Sequence, residues 1–214
     1  MLTIANLQFG YAKTPVLNIP KLNLPDGQNL LVQGPSGSGK TSLLFLLAGF
    51  LKPTSGTIQL GQTNPATLTS TQKDAFRGQH IGFVFQQPHL MAPLTILQNL
   101  QVVQTMNGQK PDTPHSLTLL KKLGIENLAH RYPAQLSQGQ QQRAGIARAL
   151  VNRPQFILAD EPTSALDDTA CEAVTTLLLQ TAAEQGAQVI VTSHDARLRP
   201  HFKHTLTLPG KSAQ

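Results

Sequence analysis

One cysteine, no tryptophan and a charged fraction of only 13% leave this 214-residue chain without the means that several protein classes rely on. The lone thiol, Cys171, has no internal partner, so no disulfide framework holds the fold and a reducing compartment is its natural setting. Charged residues fall well below the usual share of about 25%. Hydrophobic residues still make up 40%, and Gln, Thr, Asn and Ser fill the difference, so the composition reads as one ordered unit with a substantial core. No apolar run approaches the roughly 20 residues that a bilayer span needs. The most apolar stretch, 43–51, predicts a buried helix, and any membrane role would come through a partner. The opening Met-Leu-Thr-Ile-Ala-Asn has neither a basic leader nor a long apolar stretch, which predicts no signal peptide and a cytoplasmic chain. The net charge of +6 favours anionic partners in a general way. There is no dense basic run with interleaved aromatics, however, and direct nucleic-acid binding is not expected. Internal repeats, linkers and low-complexity segments are also missing.

What is present is a chain organised around glycine turns and short apolar runs. Residues 29–33 are a short apolar run leading into Gly34, and 41–51 follow as a helical pattern closed by Lys52-Pro53, which gives strand, glycine loop, helix. Residues 156–159 and 189–192 are apolar runs that end at polar or charged groups, as buried parallel strands do. Chemistry is expected at their C-terminal ends. Alternation over 2–9 and 57–60, with turns at Pro25-Asp26-Gly27 and Ser55-Gly56, predicts an antiparallel β lobe, and 88–135 read as mainly helical.

Gly34-Pro35-Ser36-Gly37-Ser38-Gly39-Lys40-Thr41 fits G-x-x-x-x-G-K-[ST] between a predicted strand and a predicted helix, the context that this phosphate loop requires. Glycines let the backbone turn consecutive N–H groups toward an anion, and the helix start adds its positive dipole end. Lys40 is placed to reach the β- and γ-phosphates, and the Thr41 hydroxyl to ligate Mg²⁺. Further on, the apolar run before Asp160-Glu161 delivers two carboxylates at a strand end. Alone, such a pair is more often the start of a solvated loop; behind a phosphate loop, Asp160 becomes a Mg²⁺ residue and Glu161 the group that orients the attacking water.

Leu136-Ser137-Gln138-Gly139-Gln140, followed by Gln141-Gln142-Arg143 and an apolar helix, makes the chain resemble the ABC ATPase family over nearly its whole length. The resemblance adds a Q-loop glutamine at Gln86, a switch histidine at His194 and a D-loop at Ser164-Ala165-Leu166-Asp167. It implies an α/β fold: a P-loop NTPase core with a mainly parallel sheet, an antiparallel β lobe and a helical insertion. Residues 1–214 would form a single domain, with core and β lobe over about 1–86 and 145–214 and the helical lobe over about 87–144. Nucleotide would be held by Gly34 to Thr41 with Ser42, and by Tyr11, whose ring either stacks on adenine or packs in the β lobe. Glu161, His194 and Gln86 would be catalytic, with Thr41, Gln86 and Asp160 at Mg²⁺. The signature residues 136–140 would act in trans, a second anion site closing on the phosphate loop of another subunit. ATP would then be the glue of a head-to-tail dimer, homodimeric or with a different subunit. The family's commonest signature has glycine where Gln138 stands. A positive φ there would cost glutamine about 1 kcal/mol, and a negative φ nothing. Arg143 and Arg148 are expected to support the helix after the signature through local ion pairs. The remaining histidines lack metal spacing, and Cys171 reads as a small buried hydrophobe.

Asp74-Ala75-Phe76-Arg77-Gly78-Gln79-His80, running into Ile81-Gly82-Phe83-Val84-Phe85-Gln86-Gln87, is similar to the branch serving lipoprotein-release, macrolide-export and cell-division permeases. The resemblance implies an ATPase, peripheral on the inner face of the membrane, that powers an integral membrane permease. An ATP-driven regulatory switch on a cell-envelope partner, without transport, uses the same chemistry. A soluble relative acting on DNA or ribosomes would need a coiled-coil insertion or a second ATPase domain, for which this chain has no room.

Overall fold

The computed structural model describes residues 1–12, 14–164 and 166–210. Its strands are β1 (Leu2–Tyr11), β2 (Thr14–Leu24), β3 (Leu30–Gln33), β4 (Ser55–Leu60), β5 (Ile81–Val84), β6 (Phe156–Asp160), β7 (Gln188–Ser193) and β8 (His204–Thr207). Its α-helices are α1 (Lys40–Leu47), α2 (Ser70–His80), α3 (Ile96–Met106), α4 (Thr113–Lys122), α5 (Gln138–Leu150) and α6 (Asp168–Glu184).

Apolar alternation on β1 folds it into an antiparallel sheet of order β2-β1-β4. The alternation reverses part-way: Leu2 and Ile4 are buried, then Leu7 and Phe9. The reversal falls at Asn6, whose φ is +49°, where the pairing with β4 slips by one residue. Opposite the slip, Gly56 sits at φ +81°, and a Cβ there would lie 2.2 Å from the Asn6 carbonyl oxygen. Ser55-Gly56 is therefore part of β4 facing a bulge, and not the turn that its composition predicts. Strand β2 contains Pro15 and Pro20, which mask it in the sequence. It lies at the sheet edge, where a missing N–H is tolerated.

The second sheet is wholly parallel in the order β5-β6-β7-β3-β8. Its faces separate two cores. Leu30, Val32, Leu158 and Ile190 pack toward α1 and the β lobe. Leu31, Ile157, Val189 and Val191 pack toward α5, α6 and the helical segment. Strands buried on both faces explain why the sequence shows continuous apolar runs there. Helix α1 ends at Leu47 with Ala48 as its C-cap, earlier than the predicted stop at Lys52-Pro53, because Gly49 takes the left-handed backbone at φ +71° that closes a helix. Helices α2, α3 and α5 each begin with a reciprocal cap, Thr69 with Gln72, Thr95 with Gln98 and Ser137 with Gln140. Glutamine serves in this box where glutamate is also used, so the low charge of the chain does not leave these helix starts unsatisfied.

Candidate functional site

The C-terminal ends of β3, β5, β6 and β7 open on one edge of the parallel sheet, where an α/β fold places its chemistry. From the end of β3 the chain turns through Gly34 to Gly39 into α1. Gly37 and Gly39 have φ of +77° and +95°, and a Cβ on Gly39 would lie 2.7 Å from the Leu17 side chain. Lys40 is buried and folds across the loop, its Nζ donating to the carbonyls of Gly34 at 2.8 Å and Pro35 at 3.2 Å. Its third neighbour is Glu161 Oε1 at 3.3 Å. Ser38 Oγ is buried with no hydrogen-bond partner among the described residues. An unmatched hydroxyl inside a turn of N–H groups is what a phosphate oxygen would satisfy.

Strand β6 carries the two carboxylates out of the core. Asp160 Oδ2 accepts a hydrogen bond from Thr41 Oγ1 at 2.8 Å, and Oδ1 accepts one from Thr192 Oγ1 at 2.6 Å. Glu161 lies in the left-handed region at φ +46°, a costly backbone for a side chain of this kind, and is held there by its N–H donating to the Thr192 carbonyl at 3.0 Å. Its carboxylate is surrounded by donors besides Lys40. Ser193 Oγ donates at 3.3 Å, the His194 amide donates at 3.4 Å, and His194 Nδ1 sits 3.0 Å away. The imidazole itself is 64% exposed, so it can meet a ligand from the solvent side.

Tyr11, Ser36, Lys40, Thr41, Gln86 and Glu161 face a common cavity of about 380 Å³. Tyr11 is half exposed at its mouth, with its hydroxyl 3.2 Å from Ser42 Oγ and its ring edge-on to Phe9 at 4.9 Å between centroids. Thr41 and Asp160 present adjacent hard oxygen donors, which suits Mg²⁺. Among the described residues no group of three or more His, Cys, Asp or Glu could cage a metal. A cation here would draw its remaining ligands from water and phosphate, as Mg²⁺ usually does.

The signature lies elsewhere. Ser137 caps α5, accepting from the Gln140 amide at 3.4 Å while its own amide donates to Gln140 Oε1 at 2.9 Å. Gln138 is the first helical residue and has no positive φ, so glutamine carries no backbone penalty there. A Cβ on Gly139 would meet nothing within 4 Å. Ser137, Gln138, Gly139, Arg143, Leu166 and Asp167 line a hollow of about 500 Å³ that shares no residue with the first. Leu136, just before the cap, is buried in the core. Asp167 caps α6, accepting from the Ala170 amide at 2.8 Å. Ala165, in the expected D-loop, lies outside the described residues.

Two arginines correct the sequence reading. Arg143 Nη1 donates to the Leu123 carbonyl at 3.4 Å and Arg148 Nη1 to the His89 carbonyl at 2.6 Å. The contacts seen are to backbone, where α5 packs against α4 and the 85–89 segment. Other residues carry no motif and emerge only in three dimensions. Thr192 reaches Asp160 because β6 and β7 pair Asp160 with Thr192. Just beyond the last paired residues, Ser193 Oγ reaches Glu161. Arg197 forks onto Asp195, whose carboxyl it holds below the usual range mainly by that side-chain hydrogen bond. A polar residue next to a predicted switch histidine was the signal available for Ser193 and Asp195.

Comparison with known proteins agrees with this architecture. Residues 17–164 match the family model described as ABC transporter. Over 202 residues the chain is 37% identical to the lipoprotein-releasing system ATP-binding protein LolD of Legionella pneumophila (strain Paris), covering 93% of this chain and 88% of that one. It is 41% identical over 201 residues to the macrolide export ATP-binding/permease protein MacB of Escherichia coli O157:H7, covering 93% of this chain but only 31% of MacB. The dimeric structure of MJ0796, a bacterial ABC transporter cassette, superposes with a TM-score of 0.86 at 33% identity, over 98% of this chain and 94% of that one. A phosphate loop, a strand-end carboxylate pair and a capped signature helix, in a chain with these relatives, identify it as a member of the ABC transporter family, as an ATP-binding subunit.

Proposed function

We propose that this chain binds Mg-ATP at the cavity formed by Tyr11, Lys40, Thr41, Gln86 and Glu161, dimerises head to tail around two nucleotides, and uses hydrolysis to drive a separate membrane permease. The observation that carries this reading is that one chain holds two hollows, one at the glycine loop before α1 and one at the start of α5, with no lining residue in common. A signature hollow that its own phosphate loop does not share is completed by a second copy, and because each loop then meets the other copy's signature, the same contact is made twice about a two-fold axis. The structures of MJ0796 are dimeric, one of them in a post-hydrolysis state bound to ADP and Pi, and this likeness supports a dimer here.

In this scheme the loop amides and Lys40 hold the β- and γ-phosphates, and Ser38 Oγ gains an acceptor. Thr41 and Asp160, with Gln86, would hold Mg²⁺, which supplies charge neutralisation at the phosphates. Glu161 orients the attacking water and draws on its proton as the bond to ADP breaks. His194 stands beside it, and the partner copy's Ser137 with its helix N-terminus stabilises charge on the transferred group. Tyr11 stacks on adenine. No helix among the described residues is long and apolar enough to cross a membrane. A hollow of about 500 Å³, lined by Phe83, Phe85, Met91, Met106 and Arg148, gives a membrane partner an apolar seat beside Gln86. Within the family, the likeness to LolD and MacB favours a permease of the lipoprotein-release and macrolide-export branch.

Turnover assays and light scattering on wild type and Glu161→Gln test the proposal together. Wild type should hydrolyse ATP. The variant should still bind ATP, lose turnover by at least about a hundredfold and form an ATP-dependent dimer. Monomers in both, with no turnover, would reject it.

A further inference from the structure

Between the two hollows of one chain runs a network of polar contacts centred on Arg197. Its Nε donates to Asp195 Oδ1 and Oδ2 at 3.0 and 2.8 Å, and Nη2 lies 2.6 Å from Oδ2. The other edge of the guanidinium binds the Asp168 carboxylate and reaches the Leu166 carbonyl at 3.4 and 3.5 Å. One turn along α6, Glu172 pairs with His201 Nε2 at 3.0 Å. The segment after the switch histidine is thus fastened to α6 at two successive turns. From Asp195 the network continues inward. The Asp195 amide donates to Ser193 Oγ at 2.9 Å, and that hydroxyl donates to Glu161 Oε2 at 3.3 Å.

The route therefore joins Glu161, in the phosphate cavity, to the 166–168 turn, which borders the signature hollow. Isolated surface ion pairs are worth little, but a bidentate arginine fork tied to a second carboxylate and a carbonyl is geometrically exacting. We propose that Arg197 is a positioning residue that couples the two half-sites of a chain, so that docking of the partner at the 166–168 turn sets the orientation of Ser193, His194 and hence the Glu161 carboxylate. This rests on the dimer proposed above. In such a dimer the two half-sites of one chain belong to different nucleotides, so Arg197 links one ATP site to the other. It touches no reacting atom.

Steady-state turnover against ATP concentration, measured on the full chain, tests this for Arg197→Gln, Arg197→Lys and Asp168→Asn. A fluorescent ATP analogue reports nucleotide affinity of the monomer, and light scattering reports ATP-dependent dimers in the Glu161→Gln background. Arg197→Gln should keep monomer affinity within about twofold of wild type, lower kcat by about tenfold to a hundredfold, and bring a Hill coefficient above one down to one. Lysine, which keeps the charge but not the fork, should not restore it. Asp168→Asn, at a side chain that is 92% exposed and unable to disturb the core, should shift both readouts in the same direction by less. Unchanged kcat and Hill coefficient in Arg197→Gln would overturn the inference and leave the ATPase reading standing. So would a loss of monomer affinity that accounts for the whole fall in kcat. A wild type without turnover, with no ATP-dependent dimer in the Glu161→Gln background, would overturn both.

Discussion

His115 is a histidine that the fold prefers to keep neutral. It is partly buried on α4, its Nε2 has no hydrogen-bond partner among the described residues, and its pKa is lowered below the ordinary 6.5, first by burial and next by Arg153. The unfolded chain therefore takes up this proton at higher pH than the folded one. The stability that His115 contributes is complete above 6.5 and is lost as pH falls through its folded value. Thermal unfolding followed from about pH 7.5 down to about pH 5 should show a falling Tm, and the fall should be smaller in His115→Gln. Nothing in the sequence marks this residue, because its environment comes from α4 packing beside α5. Lys40, Thr41, Asp160 and Glu161 are different, since their types and spacing alone predict a phosphate site. Thr192 lies between these cases: its hydroxyl is aimed at Asp160 by strand register, and register is not written in a local motif.

Among the elements, β4 is the one whose role its composition conceals. Gly56 lies at φ +81° across from the Asn6 bulge, with the Asn6 carbonyl where a Cβ would go. Gly56→Ala should destabilise the protein by about 1–3 kcal/mol, read as a lower denaturation midpoint with unchanged m-value. The same substitution at Gly27, where no atom lies within 4 Å of a Cβ, lacks the clash and should cost less despite its φ of +71°. The central strands β3, β6 and β7 are legible as apolar runs, since both of their faces are covered. Strands β2 and β8 are not: the first carries two prolines at an edge, and the second is a four-residue edge strand. Helix starts marked by Ser or Thr with Gln three residues later are legible in retrospect at α2, α3 and α5.

For the molecule as a whole, the separation of the two hollows gives a test that needs no permease. Lys40→Ala should disable the phosphate loop of a chain, and Gly139→Glu its signature, each eliminating turnover in a homodimer. Gly139 has open space around it in its own chain, so the second variant should still fold. Mixed in equal amounts, the two inactive chains should regain activity, because a head-to-tail heterodimer pairs one intact loop with one intact signature. About a quarter of the wild-type sites would be complete. Failure of the mixture, with both variants folded, would mean that each site is built within one chain. The fold class was legible from motif order, but the second copy was implied only by resemblance.

The reversal at Asn6 has a consequence for how this chain can vary. Leu2 and Ile4 point inward ahead of it, and Leu7 and Phe9 behind it. Tyr11 follows Phe9 on the same two-residue period. Deleting one residue in this stretch would turn Gln8, Gly10 and Ala12 toward the core and carry Tyr11 away from the mouth of the cavity it shares with Lys40 and Thr41. Single-base substitutions here change one side chain at a time. In-frame insertions and deletions of a codon would scramble a core face and the cavity-facing edge at once, so β1 should hold its length even where its residues drift.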